Sequence, residues 1–134
     1  MADVTTFKTA KLLHRIVDVG NFTIRNKITT ASGTAASGDY IKVVTIGAPL
    51  VLLGNVMCVS ATLGASCTVQ LFHNRAGTRT ALTAASTAAA AGRLLATNTT
   101  VIELAIDDDI EIAVAGANIT AAAIIDVMLT CARV

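Results

Sequence analysis

Residues 57–63 read MCVSATL, and this stretch decides the fold class because its apolar side chains fall on every second position. Residues 67–71, CTVQL, repeat the alternation. A period of two places successive side chains on opposite faces of a β-strand, whereas a helix face recurs every three to four residues. We therefore expect strands here, with Met57 and Val59 on an apolar face and Cys58 on the opposite one.

The same region raises a membrane alternative, because residues 43–74 carry no formally charged side chain. A stretch of that length could cross a bilayer as a helix. However, alternation gives such a helix no advantage, Pro49 and Asn55 interrupt the stretch, and no Trp/Tyr belt flanks it. A small integral membrane protein spanning through about 43–74 therefore ranks below a two-faced β domain.

Short apolar segments separated by turn residues run along most of the chain and predict an all-β protein. The candidate strands are residues 13–19, 22–25, 40–46, 50–63, 67–72, 78–83, 99–106, 110–114 and 119–134. Gly54-Asn55 favours either two strands or one strand bent by a bulge. Residues 81–91 suit a short helix or extended chain equally. Strands at this spacing suggest a sandwich or a barrel. Of these we predict an antiparallel β-sandwich, of jelly-roll type, with an extended N-terminal arm.

The closing segment shows which face is expected to be buried. Ile125, Val127 and Leu129 alternate with Asp126 and Thr130. Period two therefore places the three apolar residues in the core and the two polar ones on the surface.

Charge divides the chain into two parts. Residues 1–42 hold six Lys/Arg and three Asp, a balance of +3, and residues 43–134 hold four Arg and six acidic residues, a balance of −2. We expect residues 1–27 to be an arm, residues 28–38 a flexible loop, and residues 39–134 the sandwich. The alternative is that the arm includes the first strand.

Composition indicates a surface that other protein covers. Hydrophobic residues make up 54% of the chain and charged residues only 14%, against about 25% charged in an average globular domain. Association into a homo-oligomer would cover part of an uncharged surface; a monomer with a small-residue surface is the alternative. The net charge of +1 and the few scattered aromatic residues argue against nucleic acid as a partner. The N-terminal residues lack a signal-peptide apolar core, which predicts synthesis in a cytosol-like compartment.

Histidine and cysteine offer little catalytic chemistry. His14 and His73 are the candidate bases, and Cys67 would lie roughly 20 Å from His73 on one extended strand. Cys58 and Cys67 could face each other across a hairpin near residues 63–64, but free thiols are the default in a reducing compartment. We expect no enzyme, no cofactor and no disulfide.

The acidic residues Asp107, Asp109 and Glu111 recur at i, i+2 and i+4 and would share one face of a strand. Oxygen ligands at such spacing suggest calcium, but the EF-hand pattern fails because Ile112 replaces the loop glycine and Asn118 the bidentate glutamate. A solvated acidic turn explains these residues without a metal.

The N-terminal arm contains the candidate partner-binding residues. They are Phe7, Lys8, Lys11, Leu12 and Arg15. Apolar side chains interleaved with basic ones suit docking against an apolar groove with an acidic rim.

Three segments carry a family resemblance: ATLGASCTVQL at residues 61–71, TALTAA at 80–85, and IEIAVAGANITAAA at 110–123, before a last apolar strand. Their order resembles the small jelly-roll head decoration (cement) proteins of tailed bacteriophages, over about residues 40–134. The resemblance implies a non-enzymatic virion protein on the outer capsid surface, made in the host cytoplasm and bound across junctions of the major capsid protein. It also favours a homotrimer over a dimer. A phage neck, tail or fibre-base protein with the same fold is the alternative.

Overall fold

Nine β-strands form the parts of the chain that the computed structural model describes, residues 21–86, 92–95 and 101–133. They are β1 Asn21–Thr30, β2 Tyr40–Thr45, β3 Leu50–Val59, β4 Thr68–Arg75, β5 Thr78–Ala81, β6 Gly92–Leu95, β7 Ile102–Leu104, β8 Asp109–Ala115 and β9 Ala123–Arg133. The all-β prediction is confirmed. β6 was not among the predicted strands.

The strands form two antiparallel sheets. Sheet I has the order β1-β9-β3-β6, and β7 pairs with β3 beside β6. Sheet II has the order β2-β8-β4-β5. The chain crosses between the sheets at each step from β1 to β4, between β5 and β6, and before and after β8. The last strand that the structure describes, β9, pairs between β1 and β3. This order is that of a jelly roll, in which two Greek keys wrap into a sandwich.

The inner faces of the two sheets form one hydrophobic core. In β9 the buried side chains are Ile125, Val127, Leu129 and Cys131, whereas Thr130 is exposed, so the predicted orientation of this strand is confirmed. The facing strands of sheet II contribute alternating apolar residues to the same core. These include Val69, Leu71, Ile110, Ile112 and Val114.

β3 is one strand bent by a bulge, one of the two alternatives for residues 50–63. Its pairing with β9 shifts register between Leu52 and Gly54, so Leu53 is the extra residue. Leu52 and Asn55 are buried on the inner face, and Leu53 is exposed. The bulge therefore restores the inward alternation for Met57 and Val59 after the bend.

The predicted boundaries near the N-terminus differ from those in the structure. β1 crosses the expected division at residues 27/28, and Phe22 and Ile24 are buried in the core. The cause is the complete pairing of β1 with β9, from Asn21 opposite Ala132 to Thr30 opposite Ala123. The sandwich thus includes residues 21–27, while the candidate strand at residues 13–19 lies outside the described residues.

The structure contradicts two alternatives that the sequence left open for the middle of the chain. β3 and β4 lie in different sheets, so residues 61–71 are not a hairpin and Cys58 does not face Cys67 across one. The membrane alternative required a helix through about 43–74, and β2, β3 and β4 occupy that stretch. Within the part of the chain that the structure describes, no helix is long and apolar enough to cross a membrane.

Candidate interaction surfaces

The outer face of sheet I is apolar at its centre. Its two central strands, β3 and β9, alternate between core residues and residues that point away from the core. The outward residues are mostly apolar: Val51, Leu53, Val56, Cys58, Ile124, Met128 and Ala132. Leu53 is 42% exposed and Ile124 43% exposed. An antiparallel sheet in contact with water normally places polar residues outward, so this face suits contact with other protein.

A shallow depression lies in the middle of this face, at the bulge. It has a volume of about 290 Å³ and is lined by Thr23, Gly54, Asn55, Val56, Met128 and Thr130. Gly54 leaves it open, because a Cβ placed there would meet no atom within 4 Å. The bulge therefore supplies both the exposed Leu53 and a recess beside it.

Charge on the outer face of sheet I is concentrated along β1. Arg25 donates to both carboxylate oxygens of Asp126, with a shortest distance of 2.6 Å from Nη2 to Oδ2. The hydrogen bond from Arg25 lowers the pKa of Asp126 against the opposing effect of desolvation. Lys27 stands opposite Asp126 in the strand register. The apolar centre thus has a charged rim on one side, as many protein interfaces do.

The outer face of sheet II is polar and internally paired. Arg79 Nε donates to Oε1 of the buried Glu111 at 3.0 Å, and its guanidinium carbon lies 3.7 Å from the centroid of the Tyr40 ring. Lys42 Nζ lies 3.5 Å from Oδ2 of Asp109. These contacts join β2, β8 and β5 across the sheet and satisfy its charges within the protein.

A buried ion cluster closes one end of the sandwich. Asp108, in the turn between β7 and β8, is 3% exposed. Its Oδ2 lies 2.7 Å from His73 Nε2 and accepts hydrogen bonds from Arg75 Nη2 at 2.8 Å and from the Ala105 amide at 2.9 Å. Burial alone raises the pKa of Asp108, but these donors together lower it to about 2. The cluster ties the end of β4 to the β7–β8 turn.

The three acidic residues that suggested a calcium site do not converge. Asp107 has a φ of 73° in the turn before β8, so it does not share a strand face with Asp109 and Glu111. Asp109 also accepts a hydrogen bond from the Thr45 hydroxyl at 2.6 Å. Across residues 21–86, 92–95 and 101–133, no three His, Cys, Asp or Glu side chains come together as a metal site.

The cysteines are placed as structural residues. Cys67 and Cys131 are buried, and Cys58 is half-buried on the outer face of sheet I. Burial raises the pKa of Cys131 to about 12 and raises that of Cys67 as well. Both thiols are therefore protonated at neutral pH and are poor nucleophiles.

The predicted partner-binding residues are not placed by the structure. Phe7, Lys8, Lys11, Leu12 and Arg15 all lie outside the described residues, as does His14. The apolar outer face of sheet I was not predicted from the sequence. The signal was present around Val56 and Cys58, where the outward positions of the strand are apolar and uncharged. The contact between His73 and Asp108, which are far apart in the chain, was not predicted either.

Comparisons with known proteins give a match among solved structures. No protein-family model matches the chain, and no curated protein sequence matches it either. The structure is similar to a chain described as the cyanophage Pam1 capsid asymmetric unit, with a TM-score of 0.59 and 19% sequence identity. The match covers 86% of this chain and 87% of that chain. At this identity the similarity establishes a shared fold.

Proposed function

We propose that this protein is a non-enzymatic structural protein of a phage capsid, and specifically a decoration (cement) protein on its outer surface. The observation that carries the proposal is the fold match to a phage capsid chain, which extends over 86% of this chain and 87% of the other. Near-equal coverage means that the matched unit is the sandwich itself rather than a small shared motif.

The outer face of sheet I supports a role in assembly. Its apolar centre and charged rim have the character of a protein interface. In this proposal the face binds across junctions between major capsid proteins. Modest contacts at each site are sufficient, because copies that are linked to each other attach with the avidity of several sites.

The proposal includes a homotrimer, with the arm residues Phe7, Lys8, Lys11, Leu12 and Arg15 making partner contacts. A trimer matches the three-fold positions of an icosahedral shell, and the low content of charged residues, 14%, is consistent with surface covered by association. The protein is made in the host cytoplasm and carried on the virion.

A reconstitution experiment tests this function. Purified protein is added to particles of the phage that encodes it, prepared without the protein, and attachment is measured by sedimentation. We expect saturable attachment to the head and a higher temperature of head disruption. A labelled antibody against the protein then locates it on the particle. Labelling at the neck or tail instead of the head would contradict the decoration role and favour the tail-component alternative. No attachment to any part of the particle would contradict a virion role altogether.

Deletion of residues 2–12 tests the arm within the same assay. We expect the truncated protein to melt at nearly the wild-type temperature, because in this proposal residues 2–12 contact a partner and add little to the domain's own core. It should attach poorly, and added salt should weaken attachment of the intact chain. A large fall in melting temperature would instead assign the segment to the domain's own core.

A further inference from the structure

A second exposed apolar surface lies at the end of the sandwich that contains the β7–β8 turn. Ile106, in that turn, is 56% exposed, one of the highest values among the large hydrophobic residues that the structure describes. Beside Ile106 is an open pocket of about 290 Å³, also lined by Arg75, Ala76, Ala105, Asp107 and Asp108. We call Glu103, Ile106, Asp107 and this pocket the β7 end.

The β7 end is acidic as well as apolar. Glu103 and Asp107 are exposed, whereas the charge of Asp108 is compensated by Arg75, whose Nη2 lies 2.8 Å from Asp108 Oδ2. Three carboxylates against one guanidinium give these four residues a net charge of −2, and the exposed Arg133, two strands from Leu104 in the same row, brings the balance at this end to −1. The surface therefore fits a segment that carries apolar and basic side chains together.

Such a segment is present in the same chain. Residues 7–16 read FKTAKLLHRI, with three Lys/Arg and no acidic residue. Phe7 is its largest apolar side chain. The open pocket beside Ile106 has a volume of about 290 Å³, and Ala76, Ala105 and Ile106 in its lining offer apolar contact to such a side chain.

The strand register shows where this segment joins the sandwich. Asn21 pairs with Ala132, Ala132 with Val51, and Val51 with Glu103, so these residues form one row across sheet I. Three strand spacings separate Asn21 from Glu103, about 14 Å. The N-terminal segment thus joins its sandwich at the end that also carries Ile106 and Asp107.

We infer that residues 7–16 of one copy dock on the β7 end of a neighbouring copy, an inference that rests on the proposed homotrimer. β1 starts at this end of the sandwich and runs away from it. Twenty residues can span up to about 70 Å, well beyond a domain whose radius of gyration is about 13 Å. A contact of arm to β7 end is heterologous, and such contacts close into rings when the rotation between copies allows it.

Complementation between two variants tests the inference on the otherwise complete chain. The acceptor is the chain lacking residues 2–12, with an intact β7 end. The donor has an intact arm and carries Ile106→Lys. This substitution removes an exposed apolar side chain and repels a basic segment. Light scattering should give a trimer for the wild type, a monomer for each variant alone and a 1:1 complex for their mixture. Ser32→Lys, in the exposed loop after β1 at the opposite end of the sheet, should remain a trimer.

Three results would overturn the inference: a monomeric wild type, variants that remain trimeric on their own, or a mixture that stays monomeric. If the mixture stays monomeric, protease protection of Lys8 and Lys11 is then measured at several protein concentrations. Protection that does not depend on concentration would indicate that the arm docks within its own copy. Particle attachment of the wild type is measured separately. If the wild type attaches to particles but its oligomer does not depend on Ile106, the proposed function stands and the contact between the arm and the β7 end is wrong.

Discussion

The two outer faces of the sandwich differ in how they satisfy their side chains. On sheet I the central strands expose Leu53 and Ile124 and half-expose Val56 and Met128, apolar side chains that have no polar groups to pair. On sheet II the equivalent central positions are largely polar, and the buried Glu111 pairs with Arg79. Both faces pair charges within the protein, but sheet I also leaves apolar side chains to be covered from outside. In the proposed function, sheet I therefore meets the partner and sheet II faces solvent.

The largest expected effect separates the inner face of β9 from its outer face. Val127→Asp should lower the free energy of unfolding by about 4 kcal/mol or more, because it buries an unpaired carboxylate among core residues. Thr130→Asp, three residues later on the exposed face, should cost less than about 0.5 kcal/mol. Urea unfolding measures both. Equal, small losses at the two positions would mean that the strand orientation is wrong.

A smaller effect is expected from acid. The pKa of Asp108 falls from 3.8 in the unfolded chain to about 2 in the fold. The unfolded state therefore binds more protons in this range, and the stabilisation is complete above about pH 5 and is lost as pH falls through the folded-state pKa. The loss should be about 2 kcal/mol. Unfolding at a series of pH values should show this component in the wild type and in Asp107→Asn. It should be absent from Asp108→Asn, and its persistence there would assign it to another group.

The comparison of the two faces is tested directly by a matched pair of charges. Met128→Asp changes the centre of the outer face of sheet I, and Gln70→Asp changes the outer face of sheet II. Each should alter the free energy of unfolding by less than about 1 kcal/mol, because both side chains point away from the core. Met128→Asp should weaken attachment to particles at least about tenfold, or about 1.4 kcal/mol, while Gln70→Asp attaches normally. The reverse result would assign the particle contact to sheet II.

The smallest effect concerns the paired face. Arg79→Ala removes the partner of Glu111 and the contact with the Tyr40 ring, and should cost about 1 kcal/mol because Arg79 is partly exposed. Attachment to particles should be unchanged. Thr80→Ala, on the same strand, serves as the control. A loss of attachment with Arg79→Ala would show that this face is also part of the interface.

Local features of the fold could be predicted from the sequence. The alternation around Val127 identified its buried face, because it depends on neighbouring residues. Gly54-Asn55 indicated a bulge as one of two alternatives, and the extra residue is the adjacent Leu53. The family resemblance supplied the jelly-roll expectation before the strand order was visible. The sequence left open whether residues 1–27 include the first strand, because it does not show that β1 pairs with β9 along its whole length.

The features that could not be predicted are long-range. The contact of His73 with Asp108 joins residues 35 positions apart, and no local pattern marks it. The spacing of the acidic residues placed Asp107 on a strand face. Its positive φ instead places it in the turn after β7, the strand that pairs with β3. The apolar outer face of sheet I became visible only when β3 and β9 were found side by side. Alternation along each strand could not show which strands are neighbours.

The position of β9 also has a consequence for how the chain folds. This strand, the last that the structure describes, pairs with β1 on one side and with β3 on the other, and one of its side-chain contacts joins residues 101 positions apart. During synthesis β1 lacks its partner in sheet I, and one edge of β3 stays unpaired, until β9 has left the ribosome. Contacts so distant in sequence are slow to form. We expect folding in milliseconds to seconds, nucleated in sheet II where β4, β5 and β8 are closer in sequence. Newly made chains should be most prone to aggregate just before β9 pairs.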